Sequence, residues 1–206
     1  MTRVIEEDTR QHAGKHDVKH GWWTAHGVSF EERTRALPFA DYTAEGSNVA
    51  VDTKASIHEL MGNLGAEYQR LDHECRRAAE AGYRIVFLAE CGGKYANPAE
   101  LRKVASKFCM ARCELFRARK CDPTDEDGSC NLRGMKRKPF QGYQLMGRMK
   151  SLHEKYGAQF EFVEPDESAR RICELLGVSY EQEGAETPLD RTKGQGGLRQ
   201  SNSHRC

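Results

Sequence analysis

Residues 83–89 read Tyr-Arg-Ile-Val-Phe-Leu-Ala (YRIVFLA), an apolar run of strand length. A strand with one wet face alternates apolar and polar side chains, whereas an apolar run marks a strand covered on both faces. Immediately before it, Gly82 stops a long helical pattern that starts near Ser56 and runs to Ala81. Within that pattern Ile57, Leu60, Met61, Leu64, Tyr68 and Leu71 fall near an i, i+3, i+4 stripe. Before the helix, Val49-Ala50-Val51 is a compact strand that delivers Asp52. Two strands joined by a helix make a crossover unit. The expected fold class is therefore α/β, a mixed central sheet with helices on its faces.

Further towards the N-terminus, residues 28–37 (VSFEERTRAL) suit a strand and residues 41–48 (DYTAEGSN) a turn; with Val49–Val51 they are expected to form an antiparallel hairpin. Residues 3–7 form a short candidate strand, and residues 12–27 hold a short helix with Val18, Trp22 and His26 at helical spacing. Beyond Glu90 the reading is a loop over 91–99, a helix over 101–119 and a turn-rich insert over 120–138. A helix over 144–156, a strand over 159–163 and a last helix over 166–176 follow. Residues 181–206 are rich in Gly, Gln and Ser without apolar periodicity, the composition of a disordered tail. One domain is expected over 1–180, with a Cys-rich basic insert at about 109–138.

With 32 basic against 31 acidic residues the formal net charge is +1, so no global basic field exists and any nucleic-acid binding must come from local patches. Basic residues do cluster, over 117–120 and again over 133–138. No stretch approaches the length of a membrane span, and the opening MTRVIEEDTR lacks the apolar run of a secretory signal. Eight cysteines without an export signal fit a reducing compartment, so the expected location is the cytoplasm.

Phosphodiester hydrolysis needs a metal to polarise the phosphate and lower the pKa of an attacking water, and charge to steady the departing oxygen. A hard cation such as magnesium takes a couple of carboxylates plus waters and substrate oxygens. Asp41 and Asp52 lie at either end of the hairpin and can converge at one sheet edge. Residues i and i+2 of a strand share a face, so Lys54 points the same way as Asp52 and can hold the water or the phosphate. Glu90, ending the buried strand, is a candidate third carboxylate. A solvated hairpin with scattered charges produces the same spacing, so the triplet alone does not decide.

Four segments in order carry a resemblance: Asp8-Thr9-Arg10-Gln11, Leu37-Pro38-Phe39-Ala40-Asp41-Tyr42, Val51-Asp52-Thr53-Lys54, and the strand ending Leu88-Ala89-Glu90. Together they resemble the XPF-type (excision-repair) nuclease domain of the restriction-endonuclease-like superfamily, in the small stand-alone form of phages and prophages. Residues 141–162, with Leu145, Met149, Tyr156-Gly157 and Phe160, resemble the C-terminal part of those proteins. The resemblance spans about 3–176. It implies a restriction-endonuclease-like core and a DNA endonuclease using Mg²⁺ or Mn²⁺, in repair, recombination or DNA processing. Asp41 and Asp52 become metal ligands, Lys54 the catalytic lysine, and Asp8 and Arg10 supporting residues, with Arg10 contacting phosphate. Three departures stand out. Gln11 replaces a common Glu, and Ala40 replaces the Gly before Asp-Tyr. The acidic residue expected shortly after the lysine is missing in register, where His58 falls beside Glu59. Nothing in the sequence resembles the helix-hairpin-helix module that follows the nuclease domain in the repair enzymes.

Cys109, Cys113, Cys121 and Cys130 are spaced C-x3-C-x7-C-x8-C ahead of Lys136-Arg137-Lys138. Four thiolates can close a tetrahedral zinc site and display Lys120, Arg133, Lys136, Arg137 and Lys138 to DNA phosphates. Equally, Cys109 and Cys113 can pack one helix face and the basic residues can be ordinary solvated charge. His12, His16, His20 and His26 read best as solvated. Trp22 and Trp23 suit base stacking or core packing, with at least one in the core. The rival to an endonuclease is a catalytically weak DNA-binding module with a zinc-stapled basic loop, favoured only by Gln11. A protein without any nucleic-acid role ranks last.

Overall fold

The structure, a computed structural model, describes residues 3–8, 16–32, 37–122 and 139–181. In chain order the elements are β1 (Ile5–Glu7), α1 (Asp17–Ala25), β2 (Phe30–Glu32), β3 (Tyr42–Ala44), β4 (Val49–Lys54), α2 (Ile57–Gly65), α3 (Tyr68–Glu80) and β5 (Arg84–Glu90). Then follow α4 (Pro98–Arg102), α5 (Lys107–Arg112), α6 (Glu114–Arg117), α7 (Gly142–Tyr156), β6 (Gln159–Val163) and α8 (Ser168–Leu176). The six strands form one mixed sheet in the order β2-β1-β3-β4-β5-β6. The strands β4, β5 and β6 run parallel, while β3 is antiparallel to both β1 and β4. The expected α/β class, a mixed sheet flanked by helices, is what the chain adopts.

Alternation along β4 and β5 divides the core. Ala50, Ile85, Phe87 and Ala89 face a cluster with Leu60, Leu64 and Leu71 of α2 and α3 and Leu145 and Leu152 of α7. Val49, Val51, Val86 and Leu88 face the opposite cluster with Trp23 of α1 and Ile172, Cys173 and Leu176 of α8. Residues Ile85 to Leu88 are almost wholly removed from water. At roughly 1.5–3 kcal/mol for each large side chain, this strand is the sheet's strongest anchor.

Three expectations change. The hairpin exists, but its first strand is β3, inside the segment read as a turn; the turn itself is Glu45-Gly46-Ser47-Asn48. The segment over 28–37 supplies β2 instead. Its ladder starts with Ile5 N donating to Ser29 O (3.0 Å), and it pairs in parallel with β1 at the sheet edge. The long helix over 56–81 is two helices. Gly62 and Gly65 weaken helical propensity, Gly65 sits where a Cβ would lie 3.3 Å from the Phe140 ring, and Glu67 N reaches back to Gly62 O across a widened turn. Gly82 does stop the second helix: at φ +80 it lets Tyr83 N return to Ala78 O at 2.8 Å. The helix expected over 101–119 is broken into α4, α5 and α6, because Asn97 caps α4 and Ser106 caps α5 through side-chain bonds to Ala99 N and Cys109 N. The tail over 182–206 lies outside the described residues. Among the described residues no helix is long and apolar enough to cross a membrane.

Candidate active site

At the C-terminal end of β4 opens a polar cleft of about 340 Å³. Asp8, Asp41, Asp52 and Lys54 line it from the sheet, and Arg70, Glu74 and Arg77 line it from α3. The main chain ties the ends of β1, β3 and β4 together here: Asp8 N donates to Asp41 O (2.9 Å) and Asp41 N to Val51 O (2.9 Å). Asp41 Oδ2 accepts from both Thr53 N (2.9 Å) and Thr53 Oγ1 (2.6 Å), which orients its carboxylate across β4. Asp52 and Lys54, two residues apart on one face, form a buried ion pair between Oδ1 and Nζ.

Burial pushes the Asp52 carboxyl up to about 7, and the neighbouring charges of Asp41 and Glu74 add to this against the pull of Lys54. Burial works to lower Lys54, but Asp52 and Asp41 outweigh it and hold the ammonium above its ordinary value. The site therefore keeps like-charged carboxylates together with one buried cation. Its donors are hard oxygens, which fit Mg²⁺ or Mn²⁺ rather than a softer metal. Among the described residues no group of three or more His, Cys, Asp or Glu side chains is arranged as a metal-ligand set. A cation here would be held by the Asp41–Asp52 pair and complete its shell with water and substrate oxygens, as magnesium commonly does.

Asp8, Asp41, Asp52 and Lys54 thus come together as the sequence suggested. Glu90 does not join them. Lys54 is in register with Ala89, so the next residue, Glu90, falls on the opposite face. There its Oε1 binds Lys19 Nζ of α1 (2.6 Å) and accepts from Ser168 Oγ of α8 (2.5 Å). Glu59 serves the start of α2, its Oε2 accepting from Ala55 N and its amide donating to Ser56 Oγ. Arg10 and Gln11 lie outside the described residues.

Cys109 and Cys113 are buried against Phe108, Leu115 and Phe116 in a small separate core, and Gln141 Nε2 donates to Cys109 Sγ. Cys121 is half-buried. Cys130, Arg133, Lys136, Arg137 and Lys138 lie outside the described residues. Lys120 is exposed beside Arg117 and Arg119 in a shallow surface groove. His12 lies outside the described residues, and His16, His20 and His26 depart from a solvated reading. His16 is buried against Glu7 and Tyr42, and His20 Nε2 binds the same Glu7 at 2.6 Å. Trp23 is wholly buried and donates to Ala169 O, whereas Trp22 stacks on His26 (3.8 Å between ring centres) with Tyr180 at its edge.

Sequence reasoning missed Arg70, Glu74 and Arg77. Their signal was present as an i, i+4, i+7 polar stripe on a helix whose buried stripe is Leu71, Cys75 and Ala78. Glu74 Oε1 accepts from Ala40 N (3.1 Å), its Oε2 accepts from Arg70 Nη1 (3.1 Å), and Arg77 Nη2 donates to Pro38 O (3.3 Å). Ala40 itself adopts φ +62, a left-handed conformation that places about 1–2 kcal/mol of strain on an L-residue.

No family model and no curated protein matches this chain. Among solved structures it is similar to XPF from Aeropyrum pernix, at 18% identity and a TM-score of 0.47, over 84% of this chain and 63% of that one. XPF from Aeropyrum pernix in complex with DNA gives 18% identity and a TM-score of 0.48 over the same shares. The chain spans less than two thirds of the length of these structures.

Proposed function

We propose that this chain is a metal-dependent DNA endonuclease of the XPF type, with a restriction-endonuclease-like core. The observation that carries the reading is the meeting of Asp41, Asp52 and Lys54 in one cleft, although burial works against the charge of Asp52. Asp52 is paired with Lys54 there, and the charge of Asp41 beside it adds to the cost of ionising Asp52. The four ordered sequence motifs support the same reading independently.

Asp41 and Asp52 would hold Mg²⁺ or Mn²⁺, which supplies charge at the phosphate and a more acidic bound water. Thr53 keeps Asp41 oriented, and the Lys54 ammonium sits beside Asp52 where it can orient the attacking water or meet charge developing on the phosphate. In the hydrolysis a water oxygen would bond to phosphorus as the bond to the departing nucleotide oxygen breaks, and the proton lost by the water would end on that departing oxygen. Asp8 and Arg10 support the site, and Arg70 and Arg77 offer positive charge to the flanking phosphates. The basic residues Lys120, Arg133, Lys136, Arg137 and Lys138 would extend the contact with DNA. The free cysteines among the described residues fit a cytoplasmic setting, and the process served would be phage-type DNA repair, recombination or processing. A zinc ion on Cys109, Cys113, Cys121 and Cys130 is a separate part of the proposal; one equivalent of zinc in purified protein supports it, and its absence removes it.

The test is incubation of flap, forked, single-stranded and duplex DNA with Mg²⁺ or Mn²⁺, comparing wild type with Asp52→Ala and Lys54→Ala. Cutting by the wild type alone, with binding retained by both variants, supports the proposal. Salt-sensitive binding without cutting by any form replaces it with a DNA-binding module.

A further inference from the structure

We propose that Glu74 is a positioning residue that holds the Pro38–Asp41 turn in place, so that Asp41 is presented to Asp52. The inference rests on the nuclease reading for its kinetic consequence, but not for its structural one. Ala40 adopts a left-handed conformation immediately before Asp41. A backbone amide in such a turn needs an acceptor, since a buried N–H without one is strongly disfavoured. Glu74 Oε1 supplies it at 3.1 Å, from a side chain only 12% exposed. Arg70 in turn steadies Glu74 from one helical turn earlier.

Two further contacts tie the same turn to the same region. Arg77 Nη2 donates to Pro38 O, and the Phe39 ring packs 5.1 Å from that of Tyr83, just past the end of α3. On its other side the turn is continuous with Asp41, whose amide is bonded to Val51 O and whose carboxylate is bonded to Thr53. The helix therefore reaches the turn before the catalytic carboxylate through two side-chain-to-backbone bonds, and that of Glu74 falls on the strained residue itself. A strained φ persists only where its surroundings over-determine it, and Glu74 is the polar part of those surroundings. Relief of the strain should then make Glu74 less necessary.

The experiment compares wild type, Glu74→Gln, Glu74→Ala and the double variant Glu74→Ala with Ala40→Gly. Two readouts are used: hydrogen exchange at the Ala40 amide, and kcat and KM for Mg²⁺-dependent DNA cleavage. Glu74→Ala is expected to speed Ala40 exchange about tenfold and lower kcat about tenfold, with KM within about twofold, the scale of one lost buried bond. Glu74→Gln keeps an acceptor oxygen, so the amide stays protected and the loss of kcat is smaller. Adding Ala40→Gly to Glu74→Ala should recover about threefold or more of kcat, because glycine holds the turn without strain. Unchanged Ala40 exchange in Glu74→Ala overturns the proposal. So does Glu74→Gln losing as much kcat as Glu74→Ala while the amide stays protected, or a double variant without recovery. If the wild type cuts no DNA, the nuclease reading fails, and Ala40 exchange alone still decides the role of Glu74.

Discussion

The two faces of the sheet around β3, β4 and β5 bury charge in opposite ways. On the α1 and α8 side each acid has its partner: Glu90 lies between Lys19 and Ser168, and Glu7 lies between His16 and His20 with Tyr42 alongside. On the α3 side Asp8, Asp41, Asp52 and Glu74 share one cleft with Lys54 as the buried cation and Arg70 and Arg77 towards the rim. The same strands build both, because neighbouring residues point to opposite sides: Glu7 beside Asp8, and Tyr42 beside Asp41. Complete pairing serves to fasten α1 and α8 to the sheet. Gathered like charges leave an electrostatic demand that a proton or a metal ion must meet, and Asp52, raised to about 7, records that demand.

Lys54→Met should have the largest effect on chemistry. Cleavage is expected to fall by roughly 100-fold or more, measured under single turnover with DNA binding retained. Its counterpart on the other face is Lys19→Met, which leaves Glu90 buried without its cation. Chemical denaturation should show a loss of about 3 kcal/mol, while the cleavage rate of the folded protein stays within about threefold of wild type. A Lys19→Met protein of normal stability but low activity would erase the distinction between the faces.

Asp52 titrates near 7 in the folded chain and near 3.8 when unfolded. Between those values the folded state binds the extra proton, so this group makes the metal-free protein lose stability as pH rises from about 4 to about 7. Thermal melting in chelator across that window should show the decline, and Asp52→Asn should flatten it. Mg²⁺ should restore more stability at pH 8 than at pH 5, since the ion competes with that proton. The smallest effect is expected for Ala40→Gly alone. Release of about 1 kcal/mol of left-handed strain is offset by about 0.8 kcal/mol from the lost buried methyl, so denaturation should find a net change under about 1 kcal/mol. Ala40→Val, bulky and β-branched at φ +62, should instead be clearly destabilising.

The central strands and their crossover were legible because the information is local. An apolar run over 83–89, a stop at Gly82 and the stripe from Ile57 to Leu64 each state their own environment. Asp52 and Lys54 were legible for the same reason, since strand parity puts them on one face. Glu90 was not, because its face depends on the register of β5 against β4, which no local pattern encodes. Glu74 reaches the cleft only because the chain breaks at Ala66-Glu67 and α3 takes its own direction past the turn over 38–41. The break itself accompanies packing of Gly65 against Phe140, far along the chain. β3 was hidden because Tyr42-Thr43-Ala44 is too short to show alternation, and its pairing with β1 is a tertiary fact.

The most direct test of the central claim is Asp52→Asn, with melting temperature in chelator and single-turnover DNA cleavage in Mg²⁺ measured on the same preparation. A cleft kept charged for metal and chemistry predicts a variant at least as stable as wild type near neutral pH, with cleavage reduced by roughly 100-fold or more. A variant that melts lower yet cuts DNA as fast as wild type would contradict it, and would make Asp52 another structural acid like Glu90.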